Sequence, residues 1–185
     1  MDTFYILITI WVVIAISTFI YLFFENAPYG RHIKKGWGIV IPARIGWVLM
    51  ESPCVVLMIA FGLIVKDQLQ LVHQVFLLLW LTHYIHRTFI YPLVIQITNP
   101  KMPISIVASA FFFNIINVTI QAIGIFYYTQ YSNEWLSSAP FLIGLGFFLL
   151  GMFINIRSDY IMIALKKRKG PGYHLPNSFL YKHLS

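Results

Sequence analysis

Twenty-one consecutive uncharged residues, "FYILITIWVVIAISTFIYLFF" from Phe4 to Phe24, constrain this chain before any other feature does. A bilayer core is crossed by a helix of about 20 apolar residues. Four more apolar runs of similar length follow, at residues 44–65, 71–96, 103–128 and 140–165. In hydrocarbon every backbone N–H and C=O must find a partner inside the protein, so such runs fold as helices. The Pro- and Gly-bearing stretches "NAPYG", "NPKMP" and "SSAP" separate them. Composition agrees: the chain is 59% hydrophobic and 10% charged, against about 25% charged for a soluble domain. The expected fold class is all-α, a polytopic transmembrane helical bundle in which residues 1–185 form one membrane domain and 166–185 a cytosolic tail. The first run has no basic leader and no small-residue cleavage site after it, so it reads as a retained helix rather than a signal peptide.

The cations set an orientation. The first, third and last connecting segments carry Arg31, Lys34, Lys35, Arg44, Lys101, Lys166, Lys167, Arg168, Lys169 and Lys182, while the opposite side carries only Lys66. This bias places the N-terminus away from the cytosol and the C-terminus within it. The net charge of +7 is therefore that of membrane loops, and nucleic acid is not an expected partner. The bilayer is. The single cysteine, Cys54, excludes an internal disulfide and reads as a packing residue.

Against this apolar background the stretch "LTHYIHRTFIY", Leu81 to Tyr91, is anomalous. Ionisable groups at bilayer depth are costly, usually face the bundle interior and mark functional sites. Glu51 stands seven residues after Arg44, about 10 Å deep at 1.5 Å per residue. His83, Tyr84, His86, Arg87 and Tyr91 occupy the cytosolic half of the third span, and Asn155, Ser158 and Asp159 the inner end of the fifth. Three helices thus contribute polar groups at one depth. At 100° per residue His83, Tyr84, Arg87 and Tyr91 share one arc, with Ile85 and Phe89 opposite. Arg44, Trp47 and Glu51 share another, and Asn114, Asn117 and Gln121 form a stripe that reads equally as interhelical glue or as a ligand face. Arg157 reads as a snorkelling anchor near the headgroups. Asn117-Val118-Thr119 fits the glycosylation pattern but lies inside a span.

No pair of His or carboxylate ligands at i,i+4 with a third nearby suggests a metal, so none is expected. Neither a nucleophile triad nor a glycine-rich nucleotide loop is present. What remains is a cytosol-facing pocket with a carboxylic acid, a tyrosine and cationic or amide groups. Apolar surroundings disfavour the charged form of a carboxyl group, and a neutral acid beside a phenol can polarise a carbonyl oxygen. That chemistry suits reduction of a conjugated ketone entering from lipid. Its phosphate-bearing hydride donor would come from the cytosol, held by Arg87 and the "KKRKG" stretch.

The segments "APYGR", "IPARIGWVLMESP", "THYIHRTFIYPL", "FLIGLGFFLLGMFINIRSDYI" and "GPGYHLP" resemble, in order and spacing, the steroid 5α-reductase family. The resemblance covers Ala27 to Pro176 and implies a seven-span fold of which about five spans are present. It further implies NADPH-dependent reduction of a 3-oxo-4-ene steroid in the endoplasmic reticulum membrane, with other conjugated lipids, a polyprenal or an enoyl-CoA, as alternative substrates. By resemblance Glu51 and Tyr84 hold the 3-keto oxygen, and Trp47 and Phe113 line the steroid slot. Arg87, Asn155, Asp159, Lys166 and Tyr173 match positions that contact NADPH. The family's Gln-Glu pair reads Met50-Glu51 here, its "INIHSD" reads "INIRSD" with Arg157, and Lys166 replaces an arginine, keeping charge without bidentate geometry. The family continues beyond "SFLYKHLS" with two further spans. This implies a shortened form, either active, or a non-catalytic protein with a lipid pocket, or one whose open flank a partner chain covers.

Overall fold

The computed structural model describes residues 2–25, 38–94, 101–170 and 174–184. Helix α1, Thr3–Phe24, begins at Asp2, whose side chain accepts from the Phe4 N–H. Its hydroxyls are satisfied within the helix: Thr9, Ser17 and Thr18 each donate to the carbonyl four residues earlier. A helix that satisfies its own polar groups can face lipid all round, and none of α1 is buried. It touches the remainder through rings: Phe4 stacks on Tyr128, Trp11 lies 5.1 Å from Phe113, and the Tyr128 hydroxyl donates to Asp2.

The core is the pair formed by α2, Ala43–Ile64, and α5, Ile104–Ile123. Each follows a three-residue strand, β1 (Val40–Pro42) and β2 (Lys101–Pro103), and these pair antiparallel with Ile41 opposite Met102. The strand pair brings both helix starts to one place. From there Gly46 meets Val107, Met50 meets Asn114, and Met58 clusters with Val118 and Ala122, so the two helices advance together in parallel. Gly46 is what permits the close approach, since a Cβ there would stand 2.9 Å from Val107 Cγ2. Small residues at helix contacts are the usual means of tight packing in membranes.

The expected span at 71–96 folds as α3, Leu71–Ile85, a π turn, His86–Ile90, and α4, Tyr91–Val94, lying against α2, with Leu77 and Trp80 packed on the Met58, Val118 and Ala122 cluster; Ile95 and Gln96 fall outside the described residues. Among the described residues four helices are long and apolar enough to cross a membrane: Thr3–Phe24, Ala43–Ile64, Ile104–Tyr128 and Ala139–Lys169. The α3–α4 rod is not one of them, because His73, Gln74, His83, His86 and Arg87 dilute its apolar character. The chain is an all-α polytopic membrane protein.

The last long helix, α6, runs from Ala139 to Lys169, four residues further than expected, so Lys166–Lys169 are helix rather than tail. Cations in the final turn favour the negative end of the helix dipole, and Gly170, at φ 78°, ends the helix in a conformation that suits glycine. A short α7 covers Tyr181–Leu184. Only Ile163 of α6 is buried.

The α2–α5 contact gives a stability prediction. Gly46→Val forces side chains into Val107 and should cost about 1–3 kcal/mol, read as a lower thermal midpoint in detergent. Gly144→Ala, with nothing within 4 Å of the new methyl, should leave the midpoint unchanged or slightly raised. Equal midpoints for the two variants would contradict the packing described.

Candidate functional site

The site grows from a defect in α2. Pro53, inside the helix, has no N–H, so the Leu49 carbonyl loses its helical partner. The Ser52 hydroxyl donates to it at 2.9 Å. Donors from neighbouring elements then reach three further carbonyls on either side of the proline. Asn114 Nδ2 on α5 donates to the Met50 carbonyl at 2.7 Å, Thr88 Oγ1 of the π turn reaches the Glu51 carbonyl at 3.4 Å, and Trp80 Nε1 on α3 donates to the Cys54 carbonyl at 2.8 Å. Three elements are tied to one turn of α2, and Glu51 lies at its centre.

The Glu51 side chain lies between two donors. Asn114 Nδ2 is 3.4 Å from Oε2, and Arg87 Nε is 3.9 Å from Oε1. Arg87 also reaches across to α6, where its Nη1 is 3.5 Å from Asp159 Oδ2. Its guanidinium carbon lies 4.5 Å from the Trp47 ring centre and 4.9 Å from that of Tyr91, and Trp47 Nε1 donates to the Arg87 carbonyl at 3.1 Å. Two π faces and two carboxyl groups hold one cation that apolar surroundings alone would not tolerate. Neither ion-pair distance is that of a direct hydrogen bond, so the guanidinium is shared between the acids rather than committed to one.

Tyr84 completes the cluster. Its ring packs on Trp80 with centroids 4.6 Å apart, and its hydroxyl is hydrogen-bonded with the Cys54 thiol, with Glu51 and Arg87 in the surroundings. The thiol is fully buried. The structure thus brings together Trp47, Glu51, Tyr84, Arg87 and Asp159 from α2, the α3–α4 rod and α6.

Other expected residues stand apart. Asn155, one turn before Asp159, is exposed, and Lys166 lies two turns beyond it. Phe113 packs against Trp11 of α1, and Arg44 turns toward α6 rather than toward Glu51. Tyr173 lies outside the described residues. Of the Asn114, Asn117 and Gln121 stripe only Asn114 is buried. Thr88 and Trp80 are the site residues that the sequence pattern missed, whereas Asn114 stands in a stripe that reads equally as interhelical glue or as a ligand face. No local pattern announces Thr88 and Trp80, since the carbonyl that Pro53 leaves without a partner is that of Leu49, and Ser52 takes it.

A phosphate-bearing nicotinamide cofactor fits the groups present. Asp159 Oδ2 is buried and makes no hydrogen bond, which leaves an acceptor beside Arg87. One cavity of about 400 Å³ is lined by Arg44 and Lys167 together with Leu93, Tyr160 and Ile163. Two cations over an apolar wall suit phosphate oxygens on one side and an organic body on the other. No group of three metal-ligating side chains occurs among the described residues.

The family model described as 3-oxo-5-alpha-steroid 4-dehydrogenase matches residues 100–185. A steroid 5-alpha-reductase DET2 of Gossypium hirsutum is 38% identical across 98% of this chain and 71% of its own length. The 3-oxo-5-alpha-steroid 4-dehydrogenase 2 of Mus musculus is 34% identical across 91% and 67%, and the 3-oxo-5-alpha-steroid 4-dehydrogenase 1 of Macaca fascicularis 33% across 86% and 61%. The chain therefore spans between 61% and 71% of the length of these relatives. With this similarity along nearly its whole length, the chain belongs to the steroid 5α-reductase, or 3-oxo-5α-steroid 4-dehydrogenase, family of oxidoreductases.

Proposed function

We propose that this protein reduces the 4,5 double bond of a 3-oxo-4-ene steroid to the 5α-steroid, using NADPH. The observation that supports this best is the Glu51 carboxyl group, held between Asn114 and Arg87 with the Tyr84 hydroxyl nearby. In this reading the acid and the phenol act as a donor pair on one oxygen atom. When bound, NADPH supplies the hydride that the β-carbon of the enone, C5, accepts. Glu51 and Tyr84 hold the 3-keto oxygen and stabilise the negative charge that develops on it. A proton delivered to C4 then completes the saturated ketone. Trp47 and Tyr91, which cover the guanidinium of Arg87, wall the acid against water, and a drier site strengthens each hydrogen bond to the developing enolate.

Arg87 and Asp159 are the cofactor-side residues of this reading, with Lys166 and Lys167 supplying charge for phosphate and Asn155 and Tyr173 further contacts. Trp47 and Phe113 are the proposed steroid contacts. The protein resides in the endoplasmic reticulum membrane, its N-terminus lumenal and its last helix ending at the cytosol, because the cations concentrate at that end.

Three measurements test the proposal. NADPH added to the chain in detergent should show the fluorescence change of a bound nicotinamide, and folded protein that leaves the signal unchanged would count against the cofactor assignment. In proteoliposomes with a 3-oxo-4-ene steroid, Tyr84→Phe and Glu51→Gln should each lower kcat by about 10²-fold with the KM for NADPH within about twofold. Equal loss of cofactor binding in both would remove them from the carbonyl-polarising role. A glycosylation acceptor fused before Asp2 should be modified in microsomes and one fused after Ser185 should not; the reverse pattern would invert the orientation.

A further inference from the structure

Asn114 is buried on α5, 8% exposed, and lies in no part of the proposed steroid or cofactor contact. Its side-chain nitrogen faces two oxygen atoms, the Met50 carbonyl at 2.7 Å and Glu51 Oε2 at 3.4 Å. A carbonyl oxygen only accepts, so the amide must present its NH₂ on this side, and the two hydrogens of that group match the two acceptors. The orientation of the amide is thus fixed by Met50 whatever the protonation state of Glu51. A hydrogen pointed at Oε2 cannot share that direction with an acid proton. The proton of a neutral Glu51 therefore belongs on Oε1. That oxygen stands 3.9 Å from Arg87 Nε, beyond a direct hydrogen bond, so its O–H is left to reach another oxygen.

We infer that Asn114 is the positioning residue of Glu51: from α5 it fixes the carboxyl rotamer and confines the acid proton to Oε1, so that Glu51 donates toward the substrate oxygen. This rests on the reading of Glu51 as the carbonyl-polarising acid. The residue before Glu51, Met50, is buried and has no donor of its own, so the polar neighbour of the acid comes from a different helix. The arrangement also makes the acid sensitive to the spacing between α2 and α5, the most extensive helix contact among the described residues.

The test uses the full chain in proteoliposomes and two independent readouts. Infrared difference spectroscopy across a pH step isolates the protonated-carboxyl stretch of Glu51 as the band lost in Glu51→Gln. In the wild type this band should lie at the lowered frequency of a C=O that accepts a hydrogen bond, and in Asn114→Leu it should move upward. In turnover, Asn114→Leu should lower kcat about tenfold, the equivalent of one hydrogen bond, with the steroid KM little changed. Asn114→Gln, which keeps the amide donor, should restore part of it. In a Glu51→Gln background Asn114→Leu should cost nothing further, whereas a residue that merely holds the helices together would lower both backgrounds alike. Absence of a protonated-carboxyl band, or a band unmoved in folded Asn114→Leu, overturns the inference. Should the leucine variant fail to fold, the wild-type frequency and that of Asn114→Gln decide in its place: both at the value of a free acid would overturn it. If instead Glu51→Gln turns over like the wild type, the proposed reaction role of Glu51 fails, while the band still reports whether Asn114 places the proton.

Discussion

The bundle depends on how the carbonyls around Pro53 are satisfied. In water a proline inside a helix leaves a carbonyl that solvent can hydrate; in hydrocarbon an unpaired one costs several kcal/mol. Here Ser52 repairs the direct loss, and Asn114, Thr88 and Trp80 bring donors from α5, the π turn and α3 to the carbonyls on either side. A single interhelical hydrogen bond in a membrane contributes about 0.6–2 kcal/mol. What these bonds supply beyond that is position. A helix held by three neighbours around one turn has little freedom there, and that turn carries Glu51. The stretch of α2 that the proline locally weakens is where the other helices attach around the acid.

Arg87 extends the same point to α6. Little of that helix is buried, and a 31-residue apolar helix has no hydrophobic reason to prefer its neighbours over lipid. The contact between Arg87 and Asp159 supplies a reason, since either charge alone at this depth would be costly. The rings of Trp47 and Tyr91 hold the guanidinium between the acids. The electrostatics of the site and the docking of α6 are therefore one interaction seen from two sides.

How much of this the sequence discloses follows from which patterns are local. The four long apolar helices follow from length, and the closeness of Glu51, Arg87 and Asp159 follows from the 3.6-residue period; the 71–96 run and the place of Arg44 on the Glu51 face do not carry over in the same way. Where regular periodicity stops, so does legibility. The π turn at His86–Ile90 inserts an extra residue per turn, so Thr88 reaches α2 from a position that a uniform 100° step does not give it. The stripe Asn114, Asn117, Gln121 looks like a single face, yet only the first is buried, because one residue with two acceptors in reach is enough and the others meet no such need. Phe113, adjacent to Asn114 in sequence, turns a helical step away and lies against α1. Bonds between a side chain and a distant carbonyl leave no periodic trace.

One cation serves two acids, and the distances say how evenly. When both carboxyl groups are ionised, a unit pair at 3.5 or 3.9 Å is attracted by about 4–5 kcal/mol at an effective dielectric of about 20, and the two cases differ by only about half a kcal/mol; when Glu51 carries its proton the balance goes to Asp159. With both acids ionised, Arg87 is nearly indifferent between Glu51 and Asp159. Any group that neutralises Asp159, or adds negative charge beside it, changes how much of the guanidinium Glu51 retains. The bond from Asn114 contains no charge, so it holds the carboxyl group in place while that balance moves. A neutral amide on one oxygen and a shared cation on the other let the acid keep its geometry while its electrostatic surroundings change. An acid that polarises a carbonyl needs that separation, because position and charge are then set by different helices.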